Sequence, residues 1–194
     1  MTTQTLSFSQ LSQKAKDVAV AHYAENLVPD FWNDAVYEDA KQIASLMGIE
    51  IDKIYYSGFS SQGDGACFTG NFSYKSKALH DVKQYAPLDI ELHKIAKNYT
   101  DIQRKAFYKL KGKVVHSGLY YHSNSNDITV EHSDDIYRDI GDLEKEMKDV
   151  LRSFMDWIYR ELENSYDFEI SEEAASQYYE DENVNFNEYG NIEK

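Results

Sequence analysis

Nine consecutive residues, Ser57-Gly58-Phe59-Ser60-Ser61-Gln62-Gly63-Asp64-Gly65, bring together three glycines, three serines, a glutamine and an acid. Glycine admits positive φ and lets a ligand approach the main chain closely. Successive free amides in such a segment can form an anion-binding nest. Ser57, Ser61, Gln62, Gly63, Asp64 and Gly65 are therefore candidate ligand-binding residues. A phosphate-bearing ligand such as a nucleotide would suit them, with or without hydrolysis. The pattern is not a known phosphate loop, since neither G-x-x-x-x-G-K-[ST] nor G-x-G-x-x-G is present. The competing reading is a wide hairpin connection in which Asp64-Gly65 makes a tight turn.

Cys67, just after this segment, is the only cysteine. An intramolecular disulfide and a cysteine-built zinc cage are thereby excluded. A nucleophilic cysteine needs a base and a depressed pKa, and no histidine is placed by the pattern to serve it. The expectation is a buried strand cysteine. His116, His122 and His132 fall on neighbouring strands, yet H-E-x-x-H is absent and no tight His-x-His occurs. No metal and no cofactor is expected. Paired carboxylates such as Asp134-Asp135 are too numerous among 34 acids to single out a catalytic pair.

The acids are unevenly spread. The net charge is −14, and residues 161–194 carry eleven Asp or Glu against one Lys, a net of −10. Such a surface repels phosphates and attracts a basic protein. The candidate partner-binding residues are Glu172, Glu173, Tyr178, Tyr179, Glu180, Asp181, Glu182, Glu188 and Tyr189. Tyrosine occurs 16 times, and it supplies large contact area at low entropic cost in interfaces. A basic host or phage protein is the expected partner, and the balance of charge argues against direct nucleic-acid binding. One stretch has the opposite sign. Lys94, Lys97, Arg104, Lys105, Lys109, Lys111 and Lys113 face only Asp101, with Tyr99, Phe107 and Tyr108 interleaved. It reads as a solvated helix face, a dock for the acidic C-terminal segment, or a nucleic-acid contact.

These groups need elements to hold them. Apolar residues at helical spacing predict a helix over Ser9–Asn26 (Leu11, Ala15, Val18, His22) capped by Ser7 or Ser9, and another over Phe31–Met47. Gly48 follows where a left-handed cap belongs. The period then changes to two, predicting strands at Ile49–Tyr56 and Ala66–Tyr74. A short helical turn is expected at 78–86 and a helix over Leu88–Phe107. Two more strands follow at Lys111–Tyr121 and Asp127–His132. The longest helix should run over Asp139–Tyr166, and a short one over Glu172–Tyr179, with Val184 and Phe186 as a possible edge strand.

The order ααββαββαα predicts an α+β fold. It would have a small, mainly antiparallel sheet of about four strands, with helices packed on one face. Residues 1–180 read as a single domain and 181–194 as an acidic, flexible C-terminal segment. Met1–Ser12 lacks a basic start followed by an apolar run, and no stretch suits a membrane span, so a soluble cytoplasmic protein is expected.

Phe31 to Gly70 resembles a segment shared by small proteins of phages, prophages and mobile elements. The resemblance rests on Val36-Tyr37-Glu38-Asp39-Ala40-Lys41, Gly48-Ile49, Ile54-Tyr55-Tyr56-Ser57-Gly58-Phe59 and Ser61-Gln62-Gly63-Asp64-Gly65-Ala66-Cys67-Phe68. Trp157-Ile158-Tyr159-Arg160-Glu161-Leu162-Glu163 and Leu11-Ser12 with Ala15-Lys16 match as well. Ser60 departs from the aromatic that relatives carry there. Members are sometimes labelled antitoxins of a toxin–antitoxin stability system, and the resemblance implies no catalytic residues. The resulting expectation is a non-enzymatic binding protein of phage or mobile-element origin. Its acidic, Tyr-rich surface would inhibit a bacterial defence system of anti-CRISPR or anti-restriction type. The alternatives are a nucleotide- or phosphate-binding protein or hydrolase using loop 57–65, and an antitoxin.

Overall fold

The computed structural model describes residues 5–134 and 140–193. The expected α+β fold is present: six α-helices and a four-stranded antiparallel sheet lie among those residues. In chain order they are α1 (Gln13–Asn26), α2 (Asp34–Met47), β1 (Ile49–Ser57), β2 (Gly65–Phe72), α3 (Ala78–Tyr85), α4 (Ile90–Lys105), β3 (Leu110–His116), β4 (Asn126–His132), α5 (Gly141–Glu169) and α6 (Glu172–Asp181). The expected helical turn at 78–86 is a full helix, α3. The predicted start of the longest helix at Asp139 lies outside the described residues, as does Asp135 of the Asp134-Asp135 pair.

The chain divides into two compact units. One is built from residues 1–34 and 162–194, the other from 35–161.

The larger unit holds the sheet, in the order β1-β2-β3-β4. Leu110, Val114 and Ile128 are buried on one face, while Lys111, Lys113, Asp127, Thr129 and Glu131 are exposed on the other. Alternation along β3 and β4 sets this division, because successive side chains point to opposite faces. The buried face meets α4 and α5. Phe68 packs edge-on against Phe154, and the Gln103 side chain donates to and accepts from the Leu110 main chain. At the end of α2, Gly48 has φ +86°, and a Cβ there would lie 2.4 Å from the Ser73 carbonyl oxygen. Only glycine fits that cap.

Helix α4 ends differently. Phe107 and Tyr108 are consecutive left-handed residues, with φ of +53° and +63°. Each such non-glycine residue costs about 1–2 kcal/mol. Both stay exposed, at 65% and 42%, so burial offsets little of that cost.

The smaller unit has its own core of Phe8, Leu11, Ala15, Ala19, Tyr23, Ala175, Tyr179 and Phe186. The predicted α1 stripe of Leu11, Ala15, Val18 and His22 is shifted in the structure. The buried set is Leu11, Ala15, Ala19 and Tyr23, and Val18 and His22 are exposed. Ser12 is the cap, accepting from the Ala15 amide. Counting by fours from Leu11 gives the observed face, and its alanines admit α6 closely.

Residues 181–193 are built into this unit rather than trailing from it. The main chains of Leu6 and Phe186 exchange hydrogen bonds of 2.9 and 2.8 Å, and Phe186 is wholly buried. The edge strand expected around Val184 and Phe186 is this isolated bridge, outside the four-stranded sheet. Phe186 packs edge-on against Phe8 and Tyr179 inside this core. Phe186→Ala should therefore destabilise the protein by about 3–5 kcal/mol. Urea unfolding measures this, and a loss within error of zero would contradict the packed C-terminus.

Candidate binding surfaces

The glycine-rich connection is closed by its own acid. Asp64 Oδ2 accepts from the Ser60 and Ser61 amides at 2.9 and 2.6 Å, and the Asp64 amide donates to the Ser61 carbonyl at 3.0 Å. Hydrogen bonds to a charged acceptor contribute about 1.5–3 kcal/mol each. Two amides that would have faced a phosphate are thus already engaged by a carboxylate. Gly58 gives that carboxylate room, since a Cβ there would sit 2.9 Å from Asp64 Oδ2.

The other glycines admit the β3–β4 connection. A Cβ on Gly63 would lie 3.2 Å from the Tyr120 ring, and one on Gly65 would lie 2.6 Å from His122 Cα. On the other side, Tyr159 Oη donates to the Gly58 carbonyl at 3.1 Å, and Phe59 stacks on both Tyr56 and Tyr159. Of the six candidate ligand residues, Ser61 and Gln62 are exposed, Gly65 is buried, and Ser57 Oγ is buried without a hydrogen-bond partner among the described residues. The segment is a packed connection between strands. The sequence did not connect Tyr120, His122 and Tyr159 with this loop, because their partners in it are 57 to 101 residues away in sequence.

Cys67 is fully buried, and burial pushes its thiol up to about 11. The histidines are engaged elsewhere: His93 Nε2 with the Ala86 carbonyl, His116 Nε2 with the Tyr120 carbonyl, and His122 with the Asn124 amide. No group of three His, Cys, Asp or Glu able to hold a metal ion occurs among the described residues.

The acidic candidates separate into two kinds. Tyr179 is interior: it is 1% exposed, donates to the Ala19 carbonyl at 2.9 Å, and has its phenol pushed up to about 12 by burial. Tyr178 packs on Tyr23 with ring centroids 5.3 Å apart. The expectation that these two tyrosines form a partner surface is corrected for Tyr179 and reduced for the half-buried Tyr178. On α6, Ala175 and Tyr179 lie one turn apart and form its buried stripe.

The carboxylates face outward. Glu172, Glu173 and Glu180 line an open depression of about 410 Å³ with Ser176 and Gln177. Glu172 pairs with Lys16 at 2.9 Å, which with Gln13 holds its carboxyl below the usual range. Glu173, Glu180, Asp181, Glu182 and Glu188 are exposed and have no cation partner among the described residues. Tyr189 is 67% exposed beside Glu188, whose hydrogen bond raises the phenol's pKa. The smaller unit has 14 Asp and Glu against 3 Lys, a net of −11, leaving 20 against 17 and a net of −3 in the larger.

Much of the basic stretch is engaged inside the larger unit. Lys97 and Arg104 pair with Asp101, Lys105 with Glu146, and Lys109 with Asp134, all within residues 35–161.

An α+β sheet protein with a filled glycine-rich connection and an acidic end is what these residues define. The family model described as Domain of unknown function (DUF8835) matches residues 32–172, and the chain belongs to that family. No curated protein and no solved structure matches the chain. The matched span includes loop 57–65 and stops before Glu173, so Glu173, Glu180, Asp181, Glu182 and Glu188 lie beyond it.

Two outcomes check the packed connection. Gly65→Ala should cost about 1–3 kcal/mol, because the new Cβ meets backbone that cannot rotate away. An unchanged midpoint in thermal unfolding would refute that contact. Native Cys67 should resist iodoacetamide at pH 8 and react once urea unfolds the chain. Its raised pKa also has a sign for stability. The contribution is full below the thiol's ordinary 9.0 and is lost as pH rises through about 11, since the unfolded thiol ionises first.

Proposed function

We propose that this protein is a non-enzymatic binding protein whose acidic C-terminal surface engages a basic macromolecule in the host cell cytoplasm. The observation that carries this reading is the row of exposed carboxylates at Glu173, Glu180, Asp181, Glu182 and Glu188, none of which has a cation partner among the described residues. A cluster of unneutralised charge destabilises the fold that bears it by self-repulsion, and a basic partner relieves that repulsion. The same field accelerates encounter with a positive surface and disfavours acidic ones.

A protein surface built to hold nucleic acid is the commonest strongly basic surface, so a nucleic-acid-handling protein fits best. The resemblance of Phe31–Gly70 to proteins of phages and mobile elements supports a concrete version, inhibition of a bacterial defence nuclease. Loop 57–65 gives less support to the phosphate-binding alternative, because Asp64 already holds the Ser60 and Ser61 amides.

The test is capture of a DNA-binding host protein from lysate by wild type and by the E173Q/E180Q/D181N/E182Q variant. Capture should fall about tenfold in the variant and at high salt, as screening of exposed charges requires. The variant should melt at or above the wild-type temperature, since it removes only exposed like charges. Capture that survives both neutralisation and high salt would sink the proposal.

A further inference from the structure

The basic stretch of the sequence is rearranged by folding. Tyr99 goes into the core, and Lys97, Arg104, Lys105 and Lys109 pair with acids. What remains at the surface is the aromatic step after α4, joined by residues from the far side of the hairpin. Tyr74 and Tyr108 pack with ring centroids 4.5 Å apart, and both are partly exposed, at 39% and 42%. Phe107, beside them, is 65% exposed. Lys75 and Lys77 follow Tyr74, and Lys111 and Lys113 follow Tyr108. Lys77, Lys111 and Lys113 are exposed, with no acid paired to them among the described residues. The open sheet face next to this step has a depression of about 350 Å³, lined by Asn71, Ser73, Lys111 and Lys113 together with Glu50 and Glu131.

Two bulky aromatics occupy successive left-handed positions where glycine would be unstrained, and they are displayed rather than buried. Local strain of that kind persists where the displayed group has a use. Aromatic faces beside free ammonium groups suit one ligand chemistry, a flat base attached to phosphate. We propose that the Tyr74–Tyr108–Phe107 step and its flanking lysines bind single-stranded nucleic acid, with bases stacked on the rings and phosphates on Lys77, Lys111 and Lys113. Stacking requires an exposed base face, which a duplex keeps covered, and it tolerates any base. The site lies wholly within residues 35–161 and does not depend on the acidic end. The two carboxylates in the depression leave the charge there nearly balanced, so the rings supply most of the selectivity.

The experiment is fluorescence anisotropy with the full chain and a labelled oligothymidylate of about twelve nucleotides. Affinity should fall about tenfold between roughly 50 and roughly 200 mM salt, as two or three phosphate contacts imply. The F107G/Y108G variant should bind about tenfold more weakly while melting no lower than wild type, because glycine removes the strain along with the rings. The K77Q/K111Q variant should flatten the salt dependence. No binding by wild type at the lower salt would overturn the proposal. So would equal affinity for the matching duplex, equal competition by polyglutamate, or an F107G/Y108G variant that binds as wild type does.

Discussion

The carboxylate of Asp64 sits on two main-chain amides, and much of the local architecture follows from that contact. An anion of the protein's own fills the place that an external anion would need. The turn can then close tightly enough for Gly63 and Gly65 to touch the β3–β4 connection, which a larger or looser loop would hold apart. Tyr120, His122, Phe59 and Tyr159 pack around the result. A glycine-rich segment in a sequence suggests access for a ligand. Here the same absence of Cβ atoms gives access to the chain itself.

Away from that connection, charge divides the surfaces. The smaller unit carries most of the excess negative charge, and four of its aromatics, Phe8, Tyr23, Tyr179 and Phe186, lie in its core. The larger unit is close to neutral, and most lysines of α4 are held by nearby acids. A field of one sign over one unit steers a partner over distances of about a Debye length, whereas balanced pairs act only at contact. The two units therefore present surfaces of unlike electrostatic character.

The strained step at Phe107 and Tyr108 is a different kind of feature. Helices commonly end on a left-handed glycine because nothing else enters that conformation without cost. Two aromatics in succession, both exposed, run against the consistency between local preference and global fold that most positions of a protein obey. At Gly48 the chain obeys it, and the contrast within one molecule marks the end of α4 as a place where stability was not the sole constraint.

Local patterns in the sequence determined the elements. The change of period from 3.6 to two after Gly48, the long stripe from Leu143 to Leu162, and the paired strands gave the α+β class and the antiparallel sheet, because side-chain periodicity is a property of each segment alone. Register and partners were a different matter. Whether α1 buried Val18 or Ala19 depended on what packed against it, and that was α6, 157 to 160 residues away. The polar composition of residues 181–193 spoke for a trailing segment, yet one phenylalanine, Phe186, fitted a gap that only the fold creates. Tyr178 and Tyr179 read as surface by their acidic neighbours, yet the helix phase made Tyr179 interior and left Tyr178 half-buried. The sequence by itself determined the chain's elements and where its charge is gathered. Only the tertiary structure decided which of those groups meet, since desolvation and close packing depend on atoms that sequence distance does not bring together.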